Sequence, residues 1–184
     1  GPLNFPVMKT LHSIILAFAA FSLSIISLCG CSVTTKTSEE KAAEEQRIEA
    51  GVLNALQSRR YRITVDTMIP RRGGTQHLTT QYSITVDGDD FVSYLPYFGV
   101  AYDVPYGGGK VLNFESKTDS YTRSKTRKGE ERIVIITDNG EDVLNYDIKV
   151  FPNGKASIEV WARKRESISF WGKLDPDKQP EFKD

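Results

Sequence analysis

The sequence predicts an all-β domain: an antiparallel meander forming a small β-barrel, closed or nearly closed, behind one N-terminal α-helix. Three observations predict it. From Tyr61 onward apolar and polar residues alternate with period two, as in Tyr61, Ile63, Val65 and in Leu144, Tyr146, Ile148, Val150. The alternating runs are joined by Asp87-Gly88, Asn139-Gly140 and Asn153-Gly154, dipeptides that accept the positive φ angles of tight hairpins. No segment after residue 60 reads as a crossover helix, so neighbouring strands should run antiparallel. Closure hides the edges that such a sheet would otherwise expose.

The elements follow in order. Met8-Lys9 precedes an uncharged run from Ile14 to Leu28, which ends in Leu28-Cys29-Gly30-Cys31 and turns polar at Ser32. A basic start, an apolar core and a small residue before the cut make an export signal over residues 1–30. Because Cys31 follows Gly30, the signal is of the lipoprotein kind. The Cys31 thiol takes a diacylglyceryl group, and cleavage exposes its amine for a further acyl chain. An uncleaved anchor would need about 20 apolar residues, and this run is shorter. Cys29 is a poor modification site because bulky Leu28 precedes it. Residues 1–7 precede Met8 and are taken as an added or misassigned start. Acyl chains bury about 0.8 kcal/mol per methylene, so two already anchor stably.

Residues 31–38 should form a polar tether and 39–60 a helix. Thr37-x-x-Glu40 is a capping-box pattern. Glu39, Glu40, Glu44 and Glu45 crowd the first turns, and Arg59 and Arg60 are expected to close the last, which suits the helix dipole. Ile48, Val52, Ala55 and Leu56 make one narrow apolar stripe. Gly51 weakens the helix by about 1 kcal/mol relative to Ala. Nine strands are expected, near 61–69, 78–86, 90–97, 111–115, 119–126, 131–137, 143–151, 155–162 and 166–172. The barrel spans 61–174, and 175–184 is expected to be a flexible tail.

The bulk numbers exclude several functions. Lys and Arg total 24 and Asp and Glu total 24, a net charge of +0, and Lys9 is the leader's one charged residue. No field of one sign exists to steer nucleic acid. Of two cysteines, one leaves with the leader and Cys31 is lipidated, so thiol metal sites, cysteine nucleophiles and an internal disulfide are all excluded.

One stretch breaks the alternation: Ser93-Tyr-Leu-Pro-Tyr-Phe-Gly-Val-Ala-Tyr, then Pro105-Tyr-Gly-Gly-Gly109. Phe91, Tyr94, Tyr97, Phe98, Tyr102 and Tyr106 crowd it, and Pro96 and Pro105 bar a long central strand. These motifs resemble the signature of a Bacteroidota lipoprotein family known as domain of unknown function 4251. The likeness extends over the leader, the helix before an aromatic strand, an Asn-Gly hairpin and the closing Ile168-Ser-Phe-Trp-Gly172 strand. Val100 stands where the family pattern has Arg. The resemblance implies a barrel of lipocalin-like topology and no assigned activity, and it carries over no catalytic residues.

Two readings of the aromatic segment stay open. Tyr94, Tyr97, Phe98, Tyr102 and Tyr106 are candidate ligand-binding residues, stacking on a sugar ring or holding an apolar tail at the barrel mouth. Alternatively the rings plug one barrel end and cover the helix stripe. The other candidates have plainer readings. His77 lacks a visible partner for acid–base work. Asp87, Asp89 and Asp90 resemble a fragment of a calcium loop but serve a hairpin equally well, as do Asp138, Glu141 and Asp142. Gly107-Gly-Gly-Lys110 lacks phosphate-loop spacing. Arg123, Lys125 and Arg127 alternate and should share one strand face beside Lys128, and Arg163, Lys164 and Arg165 form a second basic group. Either marks a solvated edge or a contact with anionic envelope polymer.

The expected protein is therefore a lipid-anchored, non-enzymatic ligand-binding or accessory module at the outer membrane, with no metal and no cofactor. It faces the periplasm, because the first acidic residues after Cys31 are as distant as Glu39 and Glu40. Its partners are the membrane through acylated Cys31, and an envelope polymer, an apolar ligand or a protein. The alternative is a structural or protein-interaction lipoprotein whose barrel is filled.

Overall fold

The computed structural model describes residues 37–99 and 111–182. The leader, Cys31, Val100, Tyr102, Tyr106 and Gly107–Lys110 lie outside the described residues. Helix α1 spans Ser38–Ser58. Eight strands follow: β1 (Arg60–Pro70), β2 (Gln76–Asp87), β3 (Asp90–Tyr94), β4 (Asn113–Lys125), β5 (Glu131–Asp138), β6 (Val143–Val150), β7 (Lys155–Ala162) and β8 (Ile168–Leu174). Each pairs antiparallel with the next, and β8 returns to β1, so the meander closes as an eight-stranded barrel.

Eight strands stand where nine were expected. The segments 111–115 and 119–126 belong to one strand, β4, with a register shift between Thr118 and Ser120. The odd spacing from Phe114 to Tyr121 reverses the alternation, and the extra residue, Asp119, absorbs it as a bulge. A second bulge in β1, between Val65 and Thr67, does the same for Val65 and Met68. Strand β3 stops at Tyr94 rather than 97, ahead of Pro96.

The helix also ends differently. It stops at Ser58, and Arg59 turns left-handed (φ 54°) so that Arg60 enters β1 directly. Neither arginine closes the helix. Arg59 instead lies over the Tyr121 ring, 4.1 Å from its centroid, and pairs with Asp89 at 3.0 Å. Val52, Ala55 and Leu56 are the buried stripe, with Ile48 packed beside them.

Gly51, weak as a helix former, has a packing role. A Cβ there would lie 2.7 Å from Pro176 Cβ. Pro176–Lys178 form a short 3₁₀ turn against the helix, with Arg47 Nη1 donating to Asp177 Oδ1 at 2.9 Å and the Arg62 backbone N–H donating to Gln179 Oε1 at 2.6 Å. Residues 175–179 are thus docked, a correction to the flexible tail expected from their composition. Long-range side-chain pairing supplies the order that the local sequence lacks.

Alternation puts one row of each strand inside. Tyr61, Ile63, Ile84, Phe91, Ile133, Ile135, Tyr146, Ile148, Ile158 and Phe170 are fully buried there. Phe91 meets Tyr146 edge-on at 4.8 Å and Phe114 at 6.1 Å. Tyr146 donates to Ser93 Oγ (3.0 Å), which donates to the Leu112 carbonyl (2.7 Å). Tyr61 and Tyr121 share a hydroxyl contact at 3.2 Å.

Burial pushes the Tyr61 and Tyr146 phenols well above their ordinary range, since a phenolate there would be stripped of water. The sign follows directly. Above about pH 10 the unfolded chain releases phenolic protons that the folded chain retains. Stability should be whole below that pH and fall as pH rises toward the folded values. Tyrosinate absorbance followed on the folded protein should leave Tyr61 and Tyr146 silent until unfolding. Ionisation of all 8 tyrosines in the folded state would contradict the burial.

Candidate functional site

The two ends of the barrel differ. At one end lie the turns 88–89, 126–130 and 151–154 and the end of β8. Here α1 lies over the barrel, with Glu49, Val52 and Leu53 facing Glu131, Val150 and Phe151. At the other end lie 71–75, 139–142, 163–167 and the connection from β3 to β4. The aromatic segment leaves β3 at this second end. Its described part, Tyr94 to Gly99, thus lies at the end away from α1, because β3 runs from one end to the other.

The described rings of that segment have separate environments. Leu95 is buried, its N–H bonded to the Leu112 carbonyl at 3.1 Å. Tyr97 is half-buried and donates to the Glu166 carbonyl at 3.2 Å, with Arg165 stacked 5.6 Å from its centroid. Tyr94 (41% exposed) lies 5.2 Å from the Tyr82 ring, and Phe98 is 55% exposed. On the far side of the connection, Val111 is left-handed (φ 48°) and its carbonyl accepts from Asn139 Nδ2 at 3.0 Å. Of the candidate ligand residues described, Tyr97 is thus engaged in structure, and Tyr94 and Phe98 offer open rings.

The other candidates resolve into local structure. His77 is exposed on β2, opposite Thr67. Asp87 pairs with Arg60, Asp89 with Arg59 and Asp90 with Lys117, so this acidic turn is held by cations. Asp138 accepts from the Gly140 N–H (2.7 Å) and Asp142 from the Lys164 N–H (2.9 Å), which closes the second turn. Among the described residues no three His, Cys, Asp or Glu side chains are grouped to hold a metal ion. The basic face expected from Arg123, Lys125 and Arg127 does not form. The β4 bulge turns Arg123 inward, where its Nε donates to Glu131 Oε2 at 2.8 Å, and Arg127 lies beyond the strand.

A different surface stands out, one that pattern reading passed over. The outside of β6, β7 and β8 holds a half-open depression of about 270 Å³. Register arranges its side chains in rungs. Trp171 stands opposite Ser157, which stands opposite Lys149. In the next rung Ser169 faces Glu159, which faces Asp147. One rung further, Trp161 stands opposite Asn145. Trp161 and Trp171 are 41% and 42% exposed, and they are the chain's 2 tryptophans. The Trp171 ring lies within 19° of parallel to Phe151, 6.3 Å away. Asp147, only 9% exposed, accepts from Arg132 Nε (3.0 Å) and Nη2 (2.6 Å), and the bond holds the Arg132 guanidinium further toward its charged form. The available signal was a tryptophan at each of two positions where the alternation assigns polar residues.

The family model for a domain of unknown function, DUF4251, matches residues 40–174. The chain belongs to the DUF4251 family. A crystal structure of a DUF4251 family protein from Bacteroides eggerthii superposes with a TM-score of 0.56 at 13% identity, covering 73% of this chain and 91% of that one. At that identity the likeness concerns the fold alone. No curated protein matches the chain. DUF4251 membership thus accounts for the barrel and its helix, and the chemistry has to be argued from the surface.

Proposed function

We propose that this protein is a non-enzymatic accessory module of the cell envelope, tethered through acylated Cys31 on the periplasmic face of the outer membrane and working through the outside of its barrel. The observation that carries the second half is the filled interior: Tyr61, Phe91, Tyr146 and Phe170 are buried inside the barrel, where an open cup would hold ligand. The first half rests on Gly30-Cys31 and the polar residues after it.

Replacing Cys31 with Ala should move the protein from the membrane fraction to the soluble fraction. A variant that stays membrane-bound would refute the lipid tether. Protease added to whole cells should leave the wild type intact, and its digestion would place the barrel on the cell surface. A fluorescent fatty acid should show no saturable uptake by the purified protein, and one-to-one uptake would overturn the filled-barrel reading. A second reading, a ligand held at the rim, is favoured by the open rings of Tyr94 and Phe98. It predicts saturable uptake that Phe98→Ala abolishes.

A further inference from the structure

We infer that the outer face of β6, β7 and β8 binds a segment of neutral glycan chain, with sugar rings lying on Trp171 and Trp161 and hydroxyls meeting the polar side chains around them. The inference rests on the reading above that the barrel works through its exterior, and it names the surface and the ligand class.

Four features point the same way. The first is the placing of the indoles. Trp171 is opposite Ser157, so Trp161 lies four residues further along, about 13 Å at about 3.3 Å per residue. Two open aromatic faces at that separation on one sheet face suit an extended, repeating ligand. Phe151 lies beside Trp171 with its ring nearly parallel, which limits the ordering that binding must impose on the indole.

The second feature is what surrounds them. Ser169, Ser157, Glu159 and Asp147 offer hydroxyls and carboxylate acceptors, and Lys149 offers a donor. A sugar presents an apolar C–H face and a rim of hydroxyls that both donate and accept, so an indole beside such groups matches both sides of it. Asp147 is already oriented by Arg132 and nearly buried.

The third is charge. At the depression itself Asp147 and Glu159 are balanced by Arg132, directly opposite Lys149, and by Lys149, while Lys155 and Lys173 pair one rung beyond Trp171. The depression therefore carries no net charge of its own, which suits a neutral segment. The fourth is shape and polarity. At about 270 Å³ and half open, the depression falls just short of the range of about 300–1,000 Å³ that encloses a small molecule. It fits a segment that enters and leaves. The cores of protein interfaces are depleted of charge, whereas this surface sets two carboxylates and an ammonium around its indoles.

Both tryptophans of the chain lie on this face, so selectively excited tryptophan emission reports on it. The intact lipidated protein, in mild detergent, can be run through native gels containing dextran, mannan or xyloglucan and titrated with the same polymers. At least one polymer should retard it and shift its tryptophan emission. Trp171→Ala should weaken that binding about tenfold. Glu159→Gln keeps the shape and removes a charged acceptor, and should weaken it about threefold with an unchanged melting temperature. Lys117→Ala, across the barrel on β4, should leave it unaltered.

Three results would overturn the inference: no response to any of the three polymers, retardation that survives Trp171→Ala, or an emission change produced by a protein partner in place of a polysaccharide. Each of these leaves the exterior reading standing. That reading falls separately, if the fatty acid probe is taken up.

Discussion

Replacing Phe91 with Ala is expected to destabilise the fold by about 3–5 kcal/mol. Phe91 is fully buried, edge-on to Tyr146 at 4.8 Å and tilted against Phe114 at 6.1 Å. Its removal deletes the apolar transfer term and these ring contacts, and it leaves a void. The void cannot easily collapse. Phe91 sits in β3, hydrogen-bonded on both sides to β2 and β4 within a closed ring of strands, so the backbone has no free edge along which to close inward. Domains of this kind have about 5–15 kcal/mol in total, so the loss is a large share. Urea unfolding should show a lower midpoint at unchanged slope. An apolar void of this kind stays dry and admits a small aromatic molecule, so benzene should raise the melting temperature of the variant and leave the wild type unmoved. A cost below about 1 kcal/mol would mean that the interior is not tightly filled.

Replacing Gly154 with Ala is the second large effect, expected at about 2–5 kcal/mol. Two penalties combine there. The Asn153-Gly154 turn needs φ +82°, which costs an L-residue about 1–2 kcal/mol. A Cβ at Gly154 would also fall 2.2 Å from the Leu174 carbonyl oxygen, and a backbone atom cannot swing aside as a side chain would. Overpacking of that kind costs about 1–3 kcal/mol. The position joins three elements. The Gly154 carbonyl accepts from the Leu174 N–H at 2.8 Å, which ties the β6–β7 hairpin to the end of β8, and Val52 of the helix lies alongside.

Gly140 is the internal comparison. Its φ is +84° but nothing lies within 4 Å of its would-be Cβ. Gly140→Ala should therefore cost only the conformational part. Thermal melts of the two variants separate strain from collision, at about 2–4 °C per kcal/mol for a domain of this size. Equal shifts would contradict the close approach of Leu174 to the hairpin.

Much of the barrel was legible because it is local. Alternation along each strand is set by which residues within about five positions are apolar, and the Asp-Gly and Asn-Gly turns announce themselves in two residues. The errors share one cause. The odd interval from Phe114 to Tyr121 looks like two strands because a bulge is invisible until the partner strand shows which residue is unpaired. The same bulge reverses the facing of Arg123, so the expected cationic face became an internal ion pair with Glu131. Arg59 and Arg60 suit a helix end by charge, yet the chain turns at Ser58 and delivers Arg59 to the Tyr121 ring, a contact across more than sixty positions.

The candidate site shows the division most clearly. The aromatic segment drew attention because its rings are dense in the chain, and its described part divides between a hydrogen-bonded Tyr97 and the open rings of Tyr94 and Phe98. The tryptophans drew none, since Trp161 and Trp171 are separated in sequence and each is a single residue at a solvent-facing position. The period and the turns could be read along the chain, because each depends on near neighbours in sequence. Pairing between distant strands was needed to show that α1 lies at the end opposite Tyr94 to Gly99, that 175–179 docks on it, and that Trp161, Glu159, Asp147 and Trp171 share one face. Those facts depend on strand register and barrel closure, which bring distant residues side by side.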